Sequence, residues 1–273
     1  MTITRRWQAG LESDTTNSAT AEFTLNSGAG VSSTCAKTGT YSLRLILSQY
    51  VEQNIIPTRQ ARTGFHMRST GTMATSHPYI ASARSASGAL VGLWFVDSNT
   101  LGLVANNTQV ATYAFTSTMT GFKHIGLDCN VDSSSGWAYV YIDGIQVLSY
   151  TGDTGSNNIT KLRYGPSSKG SFDNFVYYDD MFIDDTTGQG AAAVVPDRRF
   201  YPTTPNDNGN YSQGVGSDGN SASNNLLVDD RPHNSDTDYI VLSNADEKET
   251  YAQTTACPPS GFTFAAVIPY VYA

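Results

Sequence analysis

Residues 137–150 read WAYVYIDGIQVLSY, two strand-like runs joined by Asp143-Gly144. Asp-Gly between two such runs is a strong hairpin signal, because both central residues of a type I′ turn need a positive φ. Counting outward from the turn pairs Val140 with Val147 and places Trp137 opposite Tyr150. The sequence therefore predicts a hairpin with one aliphatic face, which lines a core, and one aromatic face.

The aromatic face of this hairpin consists of Trp137, Tyr139, Tyr141 and Tyr150. It is either covered by another element or exposed as a stacking surface. Aromatic rings that keep a polar edge suit a sugar-stacking platform, so these four residues are candidate glycan contacts. The alternative is that they belong to the core or to an interface, where large aromatic side chains of sandwich strands usually lie.

Similar strand-like runs recur on both sides of the hairpin. Between Arg5 and Asp185 short apolar or alternating runs are separated by turn residues, with no helical pattern between them. Only 15% of the 273 residues are charged, and five Glu and five Lys are too few for long exposed helices. A single open sheet with so many strands would expose an apolar face, so the sequence predicts two packed antiparallel sheets.

The character of the sequence changes after Gly188. Residues 206–225 are mostly Asn, Gly, Ser and Asp, and strand-like residues return from Tyr239 onward. We therefore expect a sandwich domain at 1–188 and, at 189–273, an extended arm with a small β region that contacts other subunits. Within the arm, bidentate donors stand beside aromatic anchors and are candidate assembly residues, with a salt bridge back to the sandwich as the alternative: Arg198, Arg199, Phe200 and Tyr201.

Charge and hydropathy exclude several classes of partner. The net charge of −8, without a basic run, argues against nucleic-acid binding. No apolar stretch approaches the roughly 18 residues that span a bilayer, so we expect no membrane insertion. Residues 1–8 lack the apolar region of a signal peptide, which predicts synthesis in the cytoplasm without one.

Motifs for catalysis and metal binding are missing from the sequence. No Glu belongs to the E-x-D-x-E strand motif of sandwich glucanases, the G-x-S-x-G elbow is absent, and the four His residues lack metal-ligand spacing. The sequence thus predicts a non-enzymatic protein with no cofactor.

Acidic residues concentrate at Asp173, Asp179-Asp180 and Asp184-Asp185. Such oxygen ligands suit a structural calcium, but without a spaced loop we expect them to cap turns and protect a strand edge.

Several motifs carry a family resemblance. They are W-x-x-G-x-E at 7–12, GTYSLRL at 39–45, the 137–150 hairpin and FDNFVYYDDMFIDDTTG at 172–188. Together they resemble the concanavalin A-like, laminin G-like jelly roll. The same ending, followed by D-R-R-x-Y-P at 197–202 and N-Y-S-Q at 210–213, resembles structural proteins of tailed bacteriophages.

The resemblance implies an all-β, two-sheet jelly-roll sandwich with a concave face able to hold a glycan, and often a structural calcium. It also implies a virion protein displayed on the particle, either as a capsid decoration or as a tail or fibre component. The expected partners are other virion proteins, further copies in a homo-oligomer such as a trimer, and a host-surface glycan. The alternatives are a soluble carbohydrate-binding module and a polysaccharide-cleaving enzyme on the same fold.

Overall fold

The computed structural model describes residues 3–11, 23–71, 77–115, 119–166, 172–199, 205–228 and 238–253. The chain divides into two compact units. The first comprises Met1–Leu11 and Thr15–Phe200, and the second comprises Glu12–Asp14 and Tyr201–Ala273. The first unit extends beyond the predicted boundary at Gly188, because residues 189–199 pack on the sandwich. No helix in the described part of the chain is long and apolar enough to cross a membrane.

The first unit consists of two antiparallel sheets. Its strands are, in order, β1 (Thr4–Ala9), β2 (Leu25–Ser27), β3 (Gly30–Ser32), β4 (Ser42–Leu47), β5 (Tyr50–Thr58), β6 (Gln60–Ser69), β7 (Tyr79–Ser85), β8 (Gly88–Asp97), β9 (Thr100–Ala105), β10 (Thr108–Ala114), β11 (Lys123–Asn130), β12 (Gly136–Ile142), β13 (Ile145–Gly152), β14 (Ile159–Tyr164) and β15 (Phe172–Asp185). The eight-stranded sheet has the order β13-β12-β11-β6-β15-β4-β3, with β1 also paired to β15. The seven-stranded sheet has the order β10-β9-β8-β7-β14-β5-β2. This arrangement confirms the predicted all-β jelly-roll sandwich.

The core lies between the two sheets and holds them in a fixed relation. Phe65 of the eight-stranded sheet packs edge-on against Tyr164 of the other sheet, with ring centroids 5.5 Å apart. Two tyrosine hydroxyls, those of Tyr164 and Tyr178, form hydrogen bonds across the core to the opposite sheet. The Tyr164 hydroxyl lies 2.7 Å from Thr63 Oγ1, and the Tyr178 hydroxyl donates to the Ile80 carbonyl at 3.0 Å. Since a buried hydroxyl without a partner is costly, these bonds fix how the sheets align.

The predicted hairpin is present, but its register changes after the second residue pair from the turn. Asp143 and Gly144 have φ values of 49° and 82°, as the turn requires, and Ile142 pairs with Ile145 as predicted. A β-bulge then follows, so Val140 pairs with Leu148 instead of Val147. An extra residue in one strand moves every following side chain of that strand to the other face.

The bulge overturns part of the predicted aromatic face. Tyr150 pairs with Ala138 rather than lying opposite Trp137, whose partner is Thr151. Tyr150 consequently packs against the core cluster, on the face of the hairpin away from Trp137. The four aromatic residues do not share one surface.

The second unit contains short β elements. These are β16 (Pro205–Ser212), β17 (Val215–Gly216), β18 (Ile240–Val241), β19 (Glu249–Gln253) and a 3-10 helix (Asn224–Leu227), with β16 paired to β19 and β17 to β18. The Asn224 side chain donates to the Gly214 carbonyl and to Glu249 Oε1, each at 3.0 Å. The segment predicted as an extended arm therefore contains a small β region. The strand predicted at 262–272 lies outside the described residues.

Candidate functional site

The outer face of the eight-stranded sheet, turned away from the core, carries a dense set of buried polar side chains. Strand alternation places Arg62 and His66 of β6 on this face, next to His124 and Asp128 of β11. All four are buried, as is Asp184 of β15. Because an outer sheet face is normally open to water, these side chains need a cover.

The cover is the segment 189–199, which we call the strap. The Ala192 amide donates to Asp128 Oδ2 at 2.8 Å, and the Tyr141 hydroxyl donates to the Ala192 carbonyl. Val195 is fully buried and forms a small apolar cluster with Tyr141 and Phe182. The strap is thus held on the sheet by both apolar packing and hydrogen bonds.

Two glycines shape the sheet for this cover. Gly64 and Gly126 are directly opposite each other on β6 and β11. A Cβ at Gly126 would collide with Val195, and a Cβ at Gly64 would collide with the ring of Phe182. The glycine pair therefore creates the depression in which the strap and Phe182 pack.

His66 lies at the centre of the covered face. Its Nδ1 is 3.2 Å from Asp180 Oδ2 and its Nε2 is 3.1 Å from Asp197 Oδ1 of the strap. Burial lowers the pKa of His66, but the hydrogen bonds and charges of the two carboxylates outweigh it, so the net shift is upward. The strap therefore supplies one of two carboxylates that stabilise the protonated ring.

His124 has the opposite environment. Its ring lies 5.3 Å from that of His66, between centroids, and neither ring nitrogen has a hydrogen-bond partner among the described residues. Burial, together with the charge of His66, lowers the pKa of His124 to about 4. At neutral pH His124 is therefore neutral, whereas the surroundings of His66 favour its protonated form.

Asp179 and Asp180 lie inside β15, and β15 is flanked by β6 and β4. The prediction that these two residues lie at a turn or a strand edge is therefore wrong. A bulge in the pairing of β15 with β6 begins at Asp179, and Asp180 has a φ of 49°. Asp179 accepts the amides of Lys37 at 2.7 Å and Thr38 at 3.1 Å. Burial and the neighbouring Asp180 nevertheless raise the pKa of Asp179 to about 8. Asp179 therefore holds its proton more tightly than a solvent-exposed aspartate does.

The remaining acidic residues are used in ion pairs or lie apart. Asp184 pairs with Arg5, and Asp185 pairs with Arg6 at 2.6 Å. Asp173, at the other end of β15, is exposed. In the described part of the chain, no group of three or more His, Cys, Asp or Glu side chains is arranged to hold a metal ion.

The two strap arginines pair with carboxylates of their own chain, Arg198 with the sandwich and Arg199 with the strap. Arg198 Nη2 is 3.5 Å from Asp184 Oδ2, and the guanidinium lies 5.0 Å from the ring centroid of Phe182. Arg199 Nη2 is 3.6 Å from Asp197 Oδ2. The alternative interpretation of these arginines, a salt bridge back to the parent domain, describes the geometry of Arg198. The other two assembly candidates, Phe200 and Tyr201, lie outside the described residues.

Of the four glycan-contact candidates, two remain together at the surface. Trp137 and Tyr139 are half-buried neighbours on β12, with ring centroids 5.3 Å apart and planes inclined by 37°. Tyr141 is buried beneath the strap and Tyr150 packs against the core. The available aromatic surface is therefore the Trp137–Tyr139 pair.

Sequence reasoning missed the two buried histidines. His66 lies between the core residues Phe65 and Met67, so strict alternation along β6 assigns it to the outer face. Its cross-strand partner His124 could not be identified from local sequence, because the pairing of β6 with β11 joins strands far apart in the chain.

No protein-family model matches the chain, and comparison with curated proteins gives no match. Similar solved structures include the cellulose induced protein Cip1, with 14% identity and a TM-score of 0.47 over 67% of this chain and 99% of that one. The catalytic domain of the glycoside hydrolase family 131 protein from Coprinopsis cinerea has 13% identity and a TM-score of 0.42, over 71% of this chain and 98% of that one. The botulinum neurotoxin type G receptor binding domain has 13% identity and a TM-score of 0.44, over 62% of this chain and 43% of that one. The jelly-roll fold of this chain follows from its own strand order and pairing.

Proposed function

We propose that this chain is a non-enzymatic structural protein displayed on a bacteriophage particle, as a capsid decoration or a tail or fibre component, with glycan-adhesion capacity. The observation that carries the non-enzymatic part is the closed outer face. His66, the residue best suited to acid–base chemistry, is 1% exposed and faces carboxylates of its own chain at both ring nitrogens. A general acid or base must instead reach the proton of a substrate.

The second unit supports a role in assembly. Its described residues include an unusual number of exposed large apolar side chains: Tyr211, Val215, Leu226, Val228, Tyr239, Val241 and Leu242. Exposed apolar surface of this kind marks contacts with other proteins. It suits packing against further copies of the chain or against other virion proteins, and the motifs at 172–188 and 197–202 support a phage origin.

The Trp137–Tyr139 pair supports glycan adhesion. Replacing Trp137 by alanine is expected to weaken binding on a glycan array while leaving the fold intact, because the change removes the indole from the Trp137–Tyr139 pair and the side chain is only half-buried. Trp94→Ala is the matched control. Trp94 is also half-buried but lies on the outer face of the seven-stranded sheet, and its loss should leave array binding unchanged.

Two results would contradict this proposal. Array binding that is unchanged in Trp137→Ala would remove the aromatic pair as the contact. Release of reducing ends from host polysaccharide by the purified protein would show that the chain is an enzyme after all.

A further inference from the structure

An open groove lies at one end of the sandwich, where four turns meet. They connect β7 to β8, β9 to β10, β11 to β12, and β13 to β14. One part of the groove has a volume of about 180 Å³, and the adjoining part, which extends to Pro57, has about 410 Å³. The two parts share Ser85, Ser87 and Asn157. Neither the strap nor Trp137 is among the residues that line them.

The groove is lined by small neutral hydrogen-bonding side chains. Residues with hydroxyl or amide side chains line it from different turns: Ser87, Asn106, Asn107, Ser133 and Asn157. All five residues are exposed, and such groups both donate and accept hydrogen bonds. Leu90 and Pro57 add apolar surface. This mixture matches a sugar, which presents hydroxyls at its edge and C–H groups on its faces.

Asp153 gives the groove its charge. Among the described lining residues it is the one ionisable side chain. Its Oδ2 accepts from Asn106 Nδ2 and its Oδ1 from the Gly155 amide, both at 2.8 Å. These bonds fix the carboxylate between two turns, and each oxygen keeps a lone pair free. A fixed carboxylate binds neutral hydroxyls through charge-assisted hydrogen bonds and repels anionic ligands.

We propose that this groove is a binding site for a neutral saccharide, with Asp153 as the principal acceptor of its hydroxyl hydrogens. The inference rests on the proposed glycan-adhesion function and adds a second site, separate from the Trp137–Tyr139 pair.

The test is saturation-transfer NMR of the full chain with methyl glycosides of neutral hexoses and, in parallel, of N-acetylneuraminic acid. The wild-type protein is expected to give transfer to a neutral hexose glycoside and none to the acidic sugar. Asp153→Asn should weaken that binding at least about tenfold, because it removes the charge from the hydrogen bonds. Asp143→Asn is the matched control: it makes the same change in the turn at the other end of β13 and should leave binding as in the wild type.

A second variant tests the groove with Asp153 unchanged, in case Asp153→Asn disturbs its turn. Ser87→Ala combined with Asn157→Ala removes polar groups from the shared part of the groove and should also weaken binding. Wild-type binding in both groove variants would overturn the site, and so would preference for the acidic sugar. If the wild type then still binds an array through Trp137, the proposed adhesion function stands without the groove. Binding of no glycan in either assay overturns both.

Discussion

Replacement of Asp128 by alanine is expected to lower the free energy of unfolding by about 3–5 kcal/mol. Asp128 is fully buried and lies 3.1 Å from Arg62 Nη2, whose residue is only 6% exposed. The change leaves that guanidinium charge buried without its carboxylate. It also removes the acceptor of the Ala192 amide, which holds the strap. Urea denaturation at pH 7 measures the loss.

Two comparisons separate this effect from general damage. Lys123→Ala breaks the exposed ion pair with Asp143 and should cost less than about 1 kcal/mol. The double variant Arg62→Met with Asp128→Leu replaces the buried pair by apolar side chains and should recover much of the stability lost in Asp128→Ala. Asp128→Ala should also expose the strap to limited proteolysis between residues 189 and 199. A loss below 1 kcal/mol with an uncut strap would contradict the description of this face.

The second large effect is a loss of stability in acid that comes from His124. The folded-state pKa is about 4 and the unfolded value is 6.5, so the folded chain resists protonation of this ring. The stabilising contribution is present above pH 6.5 and is lost as the pH falls from 6.5 through about 4. It amounts to about 3 kcal/mol.

His124→Leu removes this titration. Between pH 7 and pH 4 the unfolding free energy of the wild type should therefore fall by about 3 kcal/mol more than that of the variant. Neighbouring groups act in the opposite direction. The raised pKa values of His66 and Asp179 give contributions that are complete at low pH and are lost as the pH rises through their folded-state values. His77→Asn, a change at an exposed histidine, is the control and should keep the wild-type pH dependence. Equal pH dependence in His124→Leu and the wild type would refute the assignment.

The sandwich could be predicted from the sequence because its signals are local. Alternation in short runs and the turn chemistry of Asp143-Gly144 depend on adjacent residues, and both hold in the structure. The bulges could not be predicted. An extra residue in β13 or β15 is favoured by packing against partner strands, which the local pattern does not contain. Tyr150 and Asp180 were therefore assigned to the wrong surroundings.

The covered face depends on long-range contacts and was missed for that reason. His66, His124 and Asp197 come from three distant parts of the chain and meet only after the sheet forms and the strap crosses it. The sequence shows Ala191–Val195 as a short apolar run, which suits an arm as well as a strap. Its position depends on the space above Gly126. The strap thereby buries the polar side chains that this outer sheet face carries.

Immunogold electron microscopy of purified particles tests most directly the claim that the chain is a component of a phage particle. We expect gold label on the particle surface, with label over the head indicating a capsid decoration and label along the tail indicating a tail or fibre component. Particles that carry no label, from a lysate in which the chain is present as free protein, would contradict the claim.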